Sequence, residues 1–395
     1  MSENSIANTE LQSAKNKTSR LFFIDNWKTW LITLVVLHHL ALVYGAGAPF
    51  YYSEPPFTDP LAYLVLMVFI LFNQSWFMGA FFLISGYFTP GSFDRKETGS
   101  FLRDRLLRLG IPLVVFIFVL SPVSSIGFYQ MPASLTGITN PLTWQSYPKL
   151  IGLGPLWFVA MLLIFDFGYA AWRVVTRNRA SQTAINSAPP GYLAIGIFVL
   201  VLALASYLVR IVIPMGKEVL GFPTLSYLPQ YFSLFILGII ASRHNWFRTI
   251  SNSKGIGGFG IALVSGILLF PLAFSGNFLS LELSPATANF TGNGQWQSAV
   301  YTLWDSTMAV GICLGLITLF RRFFNWQGKL GRLLSQHTYT VYVLHIPIVV
   351  FLAVGLKGIS FAPLLKFGMA AIIGVPLCFV VAYLIRKIPL FPRVL

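Results

Sequence analysis

The sequence predicts an all-α, polytopic integral membrane protein with about ten transmembrane helices in one bundle. Two observations carry this. Hydrophobic residues make up 56% of the 395 and charged ones only 10%, with a mean hydropathy of +0.72, a balance with which a soluble chain of this size could not cover its surface. Ten apolar segments, each near the length of a spanning helix, lie at 25–45, 61–88, 107–127, 154–173, 191–213, 228–242, 256–275, 299–320, 339–356 and 364–385. Of these the second is long and the sixth is the shortest.

The basic residues order the segments. Of the 27 Lys and Arg, all but Lys149, Arg210, Lys217, Lys357 and Lys366 fall on the N-terminal stretch or on every second connection. By the positive-inside rule, that puts both termini in the cytoplasm of a cell membrane. The net charge of +15 is spread in this way along the loops, which excludes a nucleic-acid partner as its purpose and leaves membrane lipids as its counterpart. Residues 1–20 read as a disordered cytoplasmic tail with no signal-peptide pattern, and 21–395 as one membrane domain. Cys313 and Cys378 lie in apolar runs, and no metal-binding spacing is present, so neither a disulfide framework nor a resident metal or cofactor is expected. Walker, HExxH, CxxC and GxSxG patterns are missing as well, so ATP and metal hydrolysis have no visible machinery. The connections at 46–60, 128–153, 214–227 and 276–298 are rich in Pro, Gly, Ser and aromatics. They suit an entrance for a polar acceptor and are too short for a soluble domain.

The first segment, DNWKTWLITLVVLHHLALVY, carries His38 and His39 deep in an apolar run, where an ionisable side chain is costly and marks function by default. Lys28 and His39 are eleven residues apart, which on a helix brings them within about 20° of one face and about 16 Å along it. Asp25 stands where an N-cap belongs, and His38, about 100° away from His39, reads as a structural residue. At the entrance of the third segment, in FLRDRLLRLGIP, Arg105 and Arg108 share a helical face and can fork onto phosphate oxygens. The competing reading is an anchor that snorkels to lipid phosphates, a role that suits Arg103 better. The ninth segment opens with HTYTVYVLHIPI, in which Tyr339, Tyr342 and His345 form a stripe. An aromatic belt explains Tyr339 but not a histidine deeper in the span, and Pro347 loosens the backbone there as in helices that line a cavity. Tyr342, His345 and Asp305 are the candidate substrate contacts. Asp166 and Asp305 are each able to pair with a histidine or an arginine across the bundle, and Arg210, near a helix end, reads as snorkelling.

These motifs together resemble the membrane acyltransferase-3 superfamily, and within it the glucan-biosynthesis branch. The resemblance rests on Asp25, Lys28 and His39 as D-x-x-[RK]-x10-H, on FFLISGYF at 81–88, on Arg105 and Arg108 before GIP, on LWF at 156–158 and on YTVYVLHIP at 339–347. It implies a ten-helix bundle that transfers an acyl group, acetyl or succinyl, from cytoplasmic acyl-CoA to a hydroxyl of an envelope glycan or lipid-linked sugar. It also implies His39 as the catalytic base and Arg105, Arg108 and Lys28 as contacts to the donor. Lys28 departs from the arginine usual there, keeping the charge and losing the bidentate fork. Some members of the family need an acidic residue as well, which the motifs here do not place, so the partner of His39 stays open. A covalent acyl-histidine is a second route. The rival class is a proton-coupled transporter or flippase, which intramembrane histidines also suit; a scaffold subunit of an envelope-synthesis complex is a third.

Overall fold

The computed structural model describes residues 20–45, 50–54, 59–176, 187–275, 289–389, 391 and 394. The expected tail over 1–20 lies, apart from Arg20, outside the described residues, as do Lys15, Lys17, Arg177, Arg179 and Arg393. Among the described residues there is no β-strand beyond one isolated bridge, and ten helical segments are long and apolar enough to cross a membrane. The protein is an all-α polytopic membrane protein.

The principal helices are α1 (Phe22–Tyr44), α2 (Pro60–Gln74), α3 (Phe77–Asp94), α4 (Thr98–Gln130), α5 (Trp157–Val175), α6 (Tyr192–Val212), α7 (Leu228–Arg243), α8 (Asn252–Ala273), α9 (Trp296–Phe323), α10 (Lys329–Gly355) and α11 (Pro363–Arg386). The second apolar segment is thus two helices. Asp59 caps α2 by accepting from the amides of Leu61 and Ala62, with Pro60 in the first turn. The chain breaks at Ser75–Trp76, where the Ser75 carbonyl accepts from Gln230 Nε2 at 2.7 Å instead of from its own helix. α9 is the central rod, and α6, with only 17% of its apolar window buried, faces outward.

Close helix contacts come from small residues. A Cβ at Gly86 would lie 2.1 Å from the Phe235 carbonyl oxygen, and one at Gly258 would lie 2.7 Å from that of Gly311. α3 therefore presses on α7, and α8 on α9, backbone to backbone.

α4 is not a regular helix, and two prolines explain why. Pro112 and Pro122 lack the amide that would bond the carbonyl four residues back, and each is preceded by a π-helical turn, at Leu106–Gly110 and Phe116–Leu120. The two carbonyls concerned are those of Arg108 and Phe118. Both find tyrosine hydroxyls, Tyr339 at 2.8 Å and Tyr147 at 2.6 Å. The irregular backbone is thus satisfied by neighbours, as the absence of water in a bilayer demands.

One end of the bundle collects the basic residues. There Asp94 receives Arg173 and Arg243, Asn26 Nδ2 donates to the Phe324 and Trp326 carbonyls, and Arg321 holds the Phe247 and Ile250 carbonyls. Lys357, Lys366, Lys149 and Lys217 stand at the opposite end, with their connections.

Two sequence expectations are corrected. α1 begins at Phe22, so Asp25 lies inside the first turn and the N-cap position is Leu21; Asp25 instead pairs with Arg20 (2.7 Å) and Lys28 (2.8 Å). Arg210 does not snorkel. It is 0% exposed, because Asp305 of α9 meets it at 2.6 Å and the rings of Tyr227 and Tyr301 flank its guanidinium at 4.4 and 5.2 Å.

Candidate active site

α1 and α10 pack side by side and bring His39 against His345, with ring centroids 4.8 Å apart. Three contacts fix their tautomers. His39 Nδ1 lies 2.8 Å from the Val35 carbonyl, His345 Nδ1 lies 2.6 Å from the Tyr342 carbonyl, and His345 Nε2 lies 3.2 Å from His39 Nδ1. Carbonyls only accept, so both Nδ1 atoms carry protons in the neutral rings. His39 Nδ1–H is therefore shared between Val35 and the bare Nε2 of His345. The Nε2 of His39 is left with a lone pair and no proton. His345 is wholly buried and occupies the position behind His39 that a carboxylate often holds in a histidine base.

Half-buried His39 lines a cavity of about 630 Å³ that opens at the less basic end, with His38, Gln74, Ser121, Trp157 and Tyr342 also in its wall. His38 thus reaches the same cavity as His39, although the helix positions differ by about a hundred degrees. Its ring stacks on Phe77 at 5.0 Å, and its Nδ1 has no hydrogen-bond partner among the described residues. Gln74 donates to the Tyr231 hydroxyl at 3.1 Å.

A second, narrower cleft of about 160 Å³ lies toward the basic end, bounded by Lys28, Ser85, Leu109, Thr338, Tyr339 and Tyr342. Tyr342 belongs to both walls. Its hydroxyl donates to the Pro155 carbonyl, and its ring meets Phe158 edge-on at 5.9 Å. One phenol ring therefore stands between the space that Lys28 borders and the space that His39 borders. Lys28 and His39, both on α1, thus border different spaces.

The other candidates are placed differently. The π turn at Leu106–Gly110 widens the helix, so Arg105 and Arg108 no longer share a face. Arg105 turns inward over Phe101 to Asp166, whose carboxylate is 0% exposed, lies 3.1 Å from Arg105 Nε and accepts from Thr89 at 3.0 Å. Arg108 is exposed, and neither arginine is in the wall of the cleft. Asp305 is engaged by Arg210 and, like His345, lies outside the walls of both spaces.

Sequence reasoning passed over the stretch Phe50–Glu54. Phe50 packs on His39, ring centroids 5.2 Å apart, and lines the His39 cavity. Tyr51 bonds Ser121 at 3.3 Å, the Ser53 amide meets Met131 Sδ at 3.0 Å, and Glu54 is held through both carboxylate oxygens by Lys366, at 2.6 and 2.7 Å. Two glycines admit this segment: a Cβ at Gly127 would lie 2.5 Å from the Tyr51 carbonyl oxygen, and one at Gly154, whose φ is +43°, would lie 2.3 Å from the Tyr51 hydroxyl. Burial and the Glu54 carboxylate push the Tyr52 phenol up to about 12, so it stays neutral. A pairing across more than 300 residues leaves no periodic trace. The only signal was that Lys366 is one of five basic residues away from the basic stretches.

Comparison with known proteins places the chain in a family. The family described as "Acyltransferase domain" matches residues 21–385. Glucans biosynthesis protein C of Shigella dysenteriae serotype 1 (strain Sd197) is 29% identical over 153 residues, which is 37% of each chain. The protein of the same name from Escherichia coli (strain SMS-3-5 / SECEC) is 28% identical over the same length and share, as is that of Escherichia coli O157:H7 (strain EC4115 / EHEC). The similarity thus spans little more than a third of these relatives. The match over 21–385 covers nearly the whole membrane domain, and the chain belongs to the acyltransferase-3 family.

Proposed function

We propose that the protein is a membrane O-acyltransferase that moves an acyl group from cytoplasmic acyl-CoA to an acceptor hydroxyl, with His39 as general base. The observation that carries this reading is the bare Nε2 of His39. His39 lines the cavity of about 630 Å³, and with its Nδ1–H held by Val35 and His345 the Nε2 is the nitrogen left to act there. Family membership supports acyl transfer as the chemistry.

In this mechanism the basic end faces the cytoplasm and attracts the anionic donor. Lys28, which is paired with Asp25, borders the cleft and Arg108 is exposed, so these two are the phosphate contacts; Arg105 serves mainly to neutralise Asp166. The acyl arm enters the cleft and reaches past Tyr342. The acceptor hydroxyl gives its proton to His39 Nε2 as its oxygen bonds to the thioester carbonyl carbon. The tetrahedral intermediate collapses by breaking the C–S bond, and the imidazolium returns the proton to the thiolate of CoA. General base catalysis of this kind supplies about 10²–10⁴ in rate. His345 lowers the barrier by accepting from the Nδ1–H of the imidazolium, where the bond gains strength from charge. We assign the acceptor to the envelope glycans, or to lipid-linked sugars, because the relatives are named for glucan biosynthesis and the cavity at the non-basic end presents Ser, Gln and aromatic side chains.

The test is incubation of membranes holding the wild type or His39→Gln with labelled acetyl-CoA or succinyl-CoA, followed by identification of the labelled product. Transfer to a hydroxyl that depends on His39 is expected. Equal transfer by well-folded His39→Gln overturns the mechanism.

A further inference from the structure

We propose that the ion pair between Glu54 and Lys366 is a positioning device for the catalytic histidine, holding the ring of Phe50 on the His39 imidazole. Its catalytic consequence rests on the function proposed above; its structural claim does not.

Lys366 lies in the first turn of α11 and is 4% exposed, an unusual site for an ammonium group. Its Nζ meets both oxygens of Glu54, whose side chain is 18% exposed. A pair this dry is weak evidence for stability, since desolvation cancels much of its Coulombic gain, but breaking it leaves a charge without a partner. What it does secure is location. Glu54 and Phe50 lie four residues apart in the chain, and the residues between and at them are docked by several ties: Tyr51 at Ser121 and the two glycines, Ser53 on Met131, the Glu54 amide on the Val43 carbonyl at 2.9 Å. Each of these other ties is a neutral one. Among the described residues the ion pair is the one bond that joins this stretch to α11, which itself packs on α1.

Phe50 is where the stretch meets the chemistry. Its ring is 7% exposed, lies tilted at 35° to the His39 imidazole, and stands in the walls of both the His39 cavity and an adjoining cavity of about 690 Å³. Glu54 lines that second cavity as well, so Phe50 and the carboxylate of the ion pair share one wall. With Val35 and His345 holding the Nδ1 edge and Phe50 holding a face, the ring keeps Nε2 toward the space where an acceptor would enter. If the stretch is released, the imidazole keeps its hydrogen bonds and loses its cover.

The test reads His39 directly and needs no substrate. Purified full-length protein is treated with diethyl pyrocarbonate at neutral pH, and carbethoxylation of His39 is followed by mass spectrometry, with His244 as the internal reference. Phe50→Ala and Lys366→Met should each raise the His39 rate about fivefold, the size of effect that one aromatic pair supports, and leave His244 unchanged. The double reversal Glu54→Lys with Lys366→Glu restores the pair and should return the rate to wild type. The double reversal also guards against misfolding of the single variant, in which His244 would change as well. In the transfer assay, Lys366→Met should lower kcat and leave the KM for acyl-CoA unchanged, and the double reversal should recover kcat. A wild-type His39 rate in folded Lys366→Met, or a double reversal as reactive as the single variant, overturns the proposal.

Discussion

Replacing His345 with leucine, a side chain of similar reach without an acceptor, separates a positioning role from mere packing. In the neutral enzyme the His39–His345 contact is a neutral hydrogen bond, worth about 1 kcal/mol net, and at 3.2 Å it is the longer of the two bonds that His39 Nδ1 makes. As the imidazole takes the proton from the acceptor the same bond becomes charge-assisted and rises to about 1.5–3 kcal/mol. Only the increase, roughly 0.5–2 kcal/mol, acts on the barrier, because a bond equally strong in both states changes nothing. It corresponds to a loss of about 2- to 30-fold in kcat. The Val35 carbonyl at 2.8 Å still holds the Nδ1–H, so the tautomer survives and the loss stays well short of the general-base factor expected for His39→Ala. His345→Gln, whose amide oxygen can accept the same proton, should fall between wild type and leucine. The assay is the rate of labelled acyl transfer with saturating donor, alongside the KM for acyl-CoA, which should not move. A leucine variant as inactive as His39→Ala would refute the assignment of the base to His39. One with wild-type kcat would show that the two imidazoles merely pack.

The two arginines of the third span should fail in different ways. Arg105→Ala strands the buried Asp166 carboxylate and should cost about 3–5 kcal/mol of stability, seen as a lowered melting temperature and partly recovered by adding Asp166→Asn. Arg108→Ala should melt as wild type and raise the KM for acyl-CoA; equal effects of the two in both assays would reduce them to a common anchor. Tyr342→Ala should join the two spaces and admit water to the donor, raising acyl-CoA hydrolysis at the expense of transfer, whereas Tyr342→Phe, which keeps the ring, should not. Arg210→Met alone should destabilise by about 3–5 kcal/mol, and Arg210→Met with Asp305→Leu should recover much of it, as measured by thermal unfolding. For topology, an impermeant maleimide should label a cysteine at Asn140 or Lys217 from outside intact cells and one at Ser253 only after lysis; the two native cysteines are buried. Labelling of Ser253 alone in intact cells would invert the arrangement.

The fold was legible in the sequence because the bilayer is a severe solvent. It demands about twenty apolar residues per span, and the ten segments read from hydropathy match the ten spanning segments of the structure to within a turn or two at most ends. The largest differences are early starts of nine or ten residues, at Thr98, Trp144 and Lys329, and local chemistry breaks two rods, at Ser75–Trp76 and in α4, whose two π turns lie before Pro112 and Pro122. That Lys28 and His39 sit on one helix was legible for the same reason. Arg105 and Arg108 were placed on one face by the helical period, and the π turn undid it.

What the sequence by itself determined is therefore what one helix or one solvent rule determines: the spans, the basic end, and His39 as an imidazole deep in α1. Only the tertiary structure decided which groups meet. His345 stands behind His39, Tyr342 between two spaces, Asp166 under Arg105, Asp305 against Arg210, and Glu54 against Lys366. Each of these joins different helices or connections, at separations from about 60 to more than 300 residues along the chain, except for Tyr342, whose place comes from the packing around α10. Side-chain periodicity describes the face of a single helix and is silent about its rotation against a neighbour. That rotation is set by the small-residue contacts and buried ion pairs that form only once the bundle closes.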